Sequence, residues 1–214
     1  MIDLLIVAIV GYLAGAIPFS YIAGKVFAGI DLRKHGSGNL GASNTFRLLG
    51  AKIAIGVLVG DVGKGFLPVY FAPACGLTGT IADHWLMLAA AFFAVVGHMF
   101  SVFVGFSGGK GVATAAGAYL ALAPLALLIT FVVFAVVFAG KRIVSLASLS
   151  GAVALPIIVV LLNVTGIAIS HWSLLAVSIL ITIVVLVKHH SNIKRLLAGE
   201  EPALGRTRTS ENNG

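Results

Sequence analysis

The chain is 214 residues long, 59% hydrophobic and only 10% charged, with a mean hydropathy of +1.10. Soluble domains carry about 25% charged residues, so this composition cannot cover a water-facing surface and excludes an ordinary soluble domain. The formal net charge of +7 would suggest nucleic acid in a soluble protein; here it follows from Lys and Arg collecting on the cytoplasmic side of membrane helices, and no nucleic-acid partner is expected.

A helix needs about 20 mostly apolar residues to cross a bilayer. Residues 4–23, 53–72, 85–105, 144–163 and 172–187 have roughly that character. The chain opens Met1-Ile2-Asp3, without the positive charge of a signal peptide, so the first segment is expected to be a retained helix. The stretch 112–139 is almost uncharged and has Pro124 near its middle. It fits either one kinked helix or two short ones.

Charge separates these alternatives. With the N-terminus outside, Lys25, Arg33, Lys34, Arg47 and Lys52 lie inside, and 73–84 lies outside without Lys or Arg. Lys110 is then inside. Two helices over 112–139 put Lys141, Arg142 and the basic tail from Lys188 inside as well, whereas one helix puts them all outside. The positive-inside rule therefore favours an all-α, polytopic bundle of seven transmembrane helices, with a cytoplasmic C-terminus. Residues 1–201 form a single membrane domain, and 202–214 are expected to be a disordered cytoplasmic tail. Asp61 and Lys64 fall inside a span, three residues apart, as either a functional pair or a structural ion pair.

Four polar segments gather on the inner face. The first, Gly36-Ser37-Gly38-Asn39-Leu40-Gly41-Ala42-Ser43-Asn44-Thr45-Phe46-Arg47, combines glycines, neutral donors and a guanidinium suited to phosphate. A simple capped turn would have the same composition. The second runs from Gly97-His98 to Gly105-Phe106-Ser107-Gly108-Gly109-Lys110-Gly111-Val112-Ala113-Thr114. A Gly-rich turn with a Lys at a helix N-terminus suits phosphate. It is not a Walker loop, because Val104 and Gly111 stand where that pattern needs Gly and Ser or Thr. Lys110 also fits a plain topology charge.

The third segment, Lys141 to Ser148, places Ser145 and Ser148 on one helical face, for binding or for packing. The fourth, His189 to Glu201, puts His189, Asn192 and Arg195 on one face; an interfacial basic helix is the alternative. The single Cys75 and the absence of metal-ligand spacing predict no internal disulfide, no metal and no cofactor.

These motifs resemble the bacterial, membrane-integral, acyl-phosphate-dependent glycerol-3-phosphate acyltransferases, along residues 1 to about 201. The segments Gly60–Gly65 and Val144–Ser148 look similar too. The resemblance implies transfer of a fatty acyl group from acyl phosphate to the sn-1 hydroxyl of glycerol 3-phosphate, giving 1-acyl-glycerol 3-phosphate (lysophosphatidic acid) and phosphate. That is the first acylation of phospholipid biosynthesis. It implies a multi-pass protein of the bacterial inner membrane, a cytoplasmic active site, contact with membrane lipids, and functional coupling to the enzyme that makes acyl phosphate.

The expected catalytic set is His189, Asn192, Lys110 and Arg47. Substrate oxygens would be held by Ser37, Gly38, Asn39, Asn44, Ser145 and Ser148, and by backbone N–H groups at Gly108 and Gly109. His189 either takes the hydroxyl proton or only binds while the departing phosphate takes it. None of the six histidines has an Asp five positions later, the pair that acyl-thioester-dependent acyltransferases use, which argues against acyl-CoA as donor. A small-anion transporter is the competing class, but it predicts polar residues along several spans, and apart from Asp61 and Lys64 these interiors are mostly apolar. A non-catalytic lipid-binding scaffold is the third reading.

Overall fold

The structure, a computed structural model, describes residues 1–76, 78–79, 81–168 and 171–204. Among these residues the regular elements are all helical: α1 (Ile2–Ala16), α2 (Phe19–Ala28), α3 (Ala42–Tyr70), α4 (Asp83–Met99), α5 (Val112–Leu122), α6 (Pro124–Lys141), α7 (Val144–Val164), α8 (Trp172–Lys188) and α9 (His190–Leu197), with short 3-10 turns between some of them. Of the tail expected over 202–214, residues 205–214 lie outside the described residues, while 202–204 are described and Leu204 is held by Arg142.

The seven expected spans correspond to α1 with α2, then α3 through α8. Five segments are long and apolar enough to cross a bilayer by themselves, and a sixth appears if α8 and α9, bent by 64°, are taken together. The exception is α5. Its 11 residues reach only about 16 Å at 1.5 Å per residue, half of the hydrocarbon core. It is sheltered on α3 and α4. The chain breaks at Ala123, because the residue before a proline is driven out of the helical region, and Pro124 opens α6. Half of α6 is exposed and only Ala126 is buried, and its large apolar side chains suit a lipid-facing helix.

Two spans differ from the sequence expectation. The first is broken at Ile17-Pro18. A break at membrane depth is tolerated only when the freed carbonyls find donors. The Ser101 hydroxyl donates to the Ala16 carbonyl over 2.5 Å, and the Lys64 ammonium to the Ile17 carbonyl over 2.7 Å. The second begins at Ala42 rather than near 53, so half of the first Gly-rich motif is helical. Gly50, at φ 81° and ψ 178°, kinks it and sets Arg47 on a short stub before the main helix.

Close helix crossings hold the bundle. A Cβ added at Gly15 would lie 2.0 Å from the Ala94 carbonyl oxygen, and one at Gly117 would lie 1.9 Å from that of Val62. Without a hydrophobic driving force between helices in lipid, such small-residue contacts supply van der Waals packing. They lock α1 to α4 and α3 to α5. An apolar core including Met99, Tyr119, Val159, Ile181 and Val185 fills the space toward α7 and α8.

Candidate active site

The four polar segments converge at one end of the bundle. Specific bonds tie the first to the second, the second to the fourth and the fourth to the third.

The first loop is organised from within by Asn44, which is fully buried. Its side-chain oxygen accepts from the Ser37 N–H at 2.9 Å, and its amide donates to the carbonyls of Leu32 and His35, each at 3.2 Å. Asn44 was expected to orient substrate oxygens; both of its amide hydrogens and one acceptor position are used within the loop. It sets Ser37 at the surface, with Gly38 and Asn39 half-buried beside it.

Arg33 docks this loop onto the second. It pairs with Asp31 at 2.7 Å and donates to the Val104 carbonyl at 2.8 Å. The hydrogen bond from Arg33 holds the Asp31 carboxyl down at about 2. Leu40 lies against the second loop as well. A Cβ at Gly109 would stand 2.2 Å from the Leu40 carbonyl oxygen and 2.3 Å from His98 Nε2.

The turn before Lys110 folds back onto the end of α4. The Gly108 N–H donates to the Met99 carbonyl at 3.2 Å, and the Gly109 N–H to the His98 carbonyl at 3.1 Å. These N–H groups were expected to approach phosphate. They face inward, and the glycines serve close packing of the turn.

Lys110 then reaches across to α9, where its ammonium donates to Asn192 Oδ1 at 2.5 Å. Burial drives the Lys110 ammonium down to about 8; Glu201 opposes the fall, while the guanidinium groups of Arg195 and Arg47 add to it. The exposed Arg47 is thus within electrostatic reach of Lys110.

Glu201 is the residue the sequence reading missed. Its carboxylate accepts from Ser145, Asn192 and Arg195, each at 2.6 Å. Burial pushes the carboxyl up, but these three donors outweigh it and hold it below its ordinary range. Gly199, in the left-handed region at φ 72°, turns the chain after α9 so that Glu201 can reach back. Ser148, also buried, sits one helical turn from Ser145. The Leu204 N–H donates to the Arg142 carbonyl at 2.7 Å, extending the same return.

His189 occupies the corner between α8 and α9 and is 2% exposed. Its Nδ1 lies 2.8 Å from the Val185 carbonyl. A carbonyl only accepts, so Nδ1 carries the proton and Nε2 is left as the acceptor. Burial first, and then the Lys110 charge, push His189 down to about 4. Among the described residues no group of three or more His, Cys, Asp or Glu could hold a metal.

A site of this kind joins cationic and neutral donors to an apolar interior at one membrane face. Known proteins resemble the chain over most of its length. The glycerol-3-phosphate acyltransferase family matches residues 5–199. A glycerol-3-phosphate acyltransferase of Trichlorobacter lovleyi is 46% identical over 190 residues, covering 89% of this chain and 92% of the relative. One from Geobacter sulfurreducens is 38% identical over 201 residues, covering 94% and 97%. A crystal structure of PlsY, an integral membrane glycerol 3-phosphate acyltransferase, in its glycerol 3-phosphate form superposes with a TM-score of 0.82 at 38% identity, covering 94% of this chain and 96% of that one. The lysophosphatidic acid form of PlsY gives 0.80 at 37% identity. With its helical membrane bundle and its clustered motifs, the chain belongs to the glycerol-3-phosphate acyltransferase family of integral membrane enzymes.

Proposed function

We propose that the enzyme transfers a fatty acyl group from acyl phosphate to the sn-1 hydroxyl of glycerol 3-phosphate, at the cytoplasmic face of the bacterial inner membrane. The observation that carries the reading is the meeting of Lys110 with Asn192, within electrostatic reach of Arg47, at the end of an otherwise apolar bundle. Both substrates bear phosphate, and the acyl donor adds a long apolar chain. Lys110 and Arg47 supply charge for phosphate. Ser37, Asn39, Asn192 and Ser148 supply neutral donors, while Asn44, Glu201 and Ser145 hold these groups in register. The apolar core that includes Met99 and Val185 adjoins the polar cluster, surroundings suited to a substrate with an apolar tail.

The chemistry asks little of the protein. Acyl phosphate is a mixed anhydride with a good leaving group. The hydroxyl oxygen attacks the carbonyl carbon, the bond from that carbon to the phosphate oxygen breaks, and inorganic phosphate leaves with the hydroxyl proton. The ester and hydrogen phosphate account for all atoms and charge. Positioning and electrostatic stabilisation are the protein's contributions. A buried His189 held down at about 4 is a weak proton acceptor, which supports the phosphate of the donor as the base and His189 as a binding group. The absence of an Asp five positions after any His supports acyl phosphate over acyl-CoA.

The product position and the donor are tested together with purified protein in lipid. Supplied with acyl phosphate and glycerol 3-phosphate, it is expected to give the 1-acyl product by NMR, and none from acyl-CoA alone. Acylation at the other hydroxyl, or product from acyl-CoA without acyl phosphate, overturns this proposal.

A further inference from the structure

Beneath the site lies a second polar cluster to which the acyl-transfer chemistry assigns no task. Asp61 on α3 pairs with Lys64 at 2.8 Å, and both side chains are almost fully buried. The same Asp61 oxygen lies 3.5 Å from His98 Nδ1, an electrostatic contact rather than a short hydrogen bond. Lys64 also holds the Ile17 carbonyl at the break of the first span. His98 completes the arrangement on its other edge, with Nε2 directly under Gly109 and its own carbonyl accepting the Gly109 N–H. The free space among Asp61, Lys64, His98, Ser20, Gly108 and Gly109 is about 10 Å³. That is at most one water's worth.

The geometry points to Asp61 and His98 as positioning residues. They form a brace, anchored by Lys64 to the broken first span, that sets the Gly108-Gly109 turn and through it the ammonium of Lys110. The inference rests on the acyl-transfer reading of the site. A span that needed only a donor for the Ile17 carbonyl would have had its needs met by Lys64 alone. Continuing the chain of contacts from Asp61 to His98, and from His98 to the turn that carries Lys110, adds nothing to that repair. It does give the Lys110 turn a fixed floor, and displacement of a reacting group by about 1 Å can cost about 10²-fold in rate.

A double-mutant cycle with Lys110 tests the brace. His98→Gln and Asp61→Asn, which change volume little, are each combined with Lys110→Arg in purified protein in lipid, with phosphate release from acyl phosphate as the readout. Each single variant is expected to lower kcat about tenfold, with thermal unfolding still cooperative. In the Lys110→Arg background the same change is expected to cost less than about threefold, because residues acting through one another are not additive. Normal kcat in a folded His98→Gln protein, or an equal loss in both backgrounds, overturns the inference. If Asp61→Asn fails to fold, His98→Gln decides. A parent protein that releases no phosphate contradicts the reading of the site instead, which keeps the two failures apart.

Discussion

The Lys110 ammonium donates to Asn192 Oδ1 over 2.5 Å, joining the turn after α4 to the short helix α9. This bond gathers a charge and an amide that are 82 residues apart in sequence. It makes Lys110 a fixed cation instead of a mobile one, and a fixed cation can favour phosphate without reorganising at each turnover. Replacing Lys110 with Ala is expected to lower kcat/KM by about 10²-fold or more, since one preorganised electrostatic donor is typically worth that much. Lys110→Arg should retain part of the activity. Steady-state kinetics on both variants checks the pair, and near-parent activity in Lys110→Ala would remove Lys110 from the site.

The pH profile follows from the same residue. Lys110 is held at about 8, so its charge is complete below that value and is lost as pH rises through it. Because kcat/KM reports the free enzyme, it should fall on the alkaline side with a limb near pH 8. His189 is held at about 4 and stays neutral from pH 5.5 upward, so no His189 limb is expected near its ordinary 6.5. Lys110→Arg should move the alkaline limb out of range.

His189→Ala separates two roles. A general base lost from the site costs about 10²-fold or more in turnover with substrate affinity little changed. If His189 binds while the donor phosphate takes the proton, KM rises and kcat stays within about tenfold. The second outcome is expected, since Nδ1–H is committed to Val185 and the ring is a poor proton acceptor.

Glu201→Ala is expected to destabilise the protein. Ser145, Asn192 and Arg195 would each lose an acceptor at 2.6 Å. Leaving part-buried donors unsatisfied costs about 1–3 kcal/mol per group, an upper bound here because water can reach some of them. A clear drop in Tm together with raised KM is expected. An unchanged Tm would mean the return of the chain after Gly199 is not held by this carboxylate.

Gly109→Ala should impair the site with little effect on the helical bundle. The added methyl has no room between the Leu40 carbonyl and His98 Nε2. The turn would have to lift, carrying Lys110 away from Asn192. Raised KM for both phosphate substrates with intact helical circular dichroism is the expected pair of results.

Much of the architecture was legible in the sequence. Charge asymmetry separated two helices from one over 112–139, and Pro124 supplied the break. The gathering of four polar segments at one end followed from their spacing between apolar runs. Other features depend on contacts that no local pattern carries. Pro18 sits in an apolar run, and whether it breaks a span depends on donors from Ser101 and Lys64, far along the chain. Asn44 in a Gly-rich loop can bind a ligand or cap the loop, and only its three bonds choose. Glu201 closed the fourth polar segment without a role assigned to it, because its partner Ser145 lies 56 residues earlier. An acidic residue just beyond a glycine turn, six residues after Arg195, was the one available signal.

The most direct measurement of the central claim is phosphate release by the purified protein in lipid vesicles. With acyl phosphate and glycerol 3-phosphate together, stoichiometric release of phosphate and formation of lysophosphatidic acid are expected, abolished when either substrate is omitted. Phosphate release that ignores glycerol 3-phosphate, or no release with both substrates present, would contradict it.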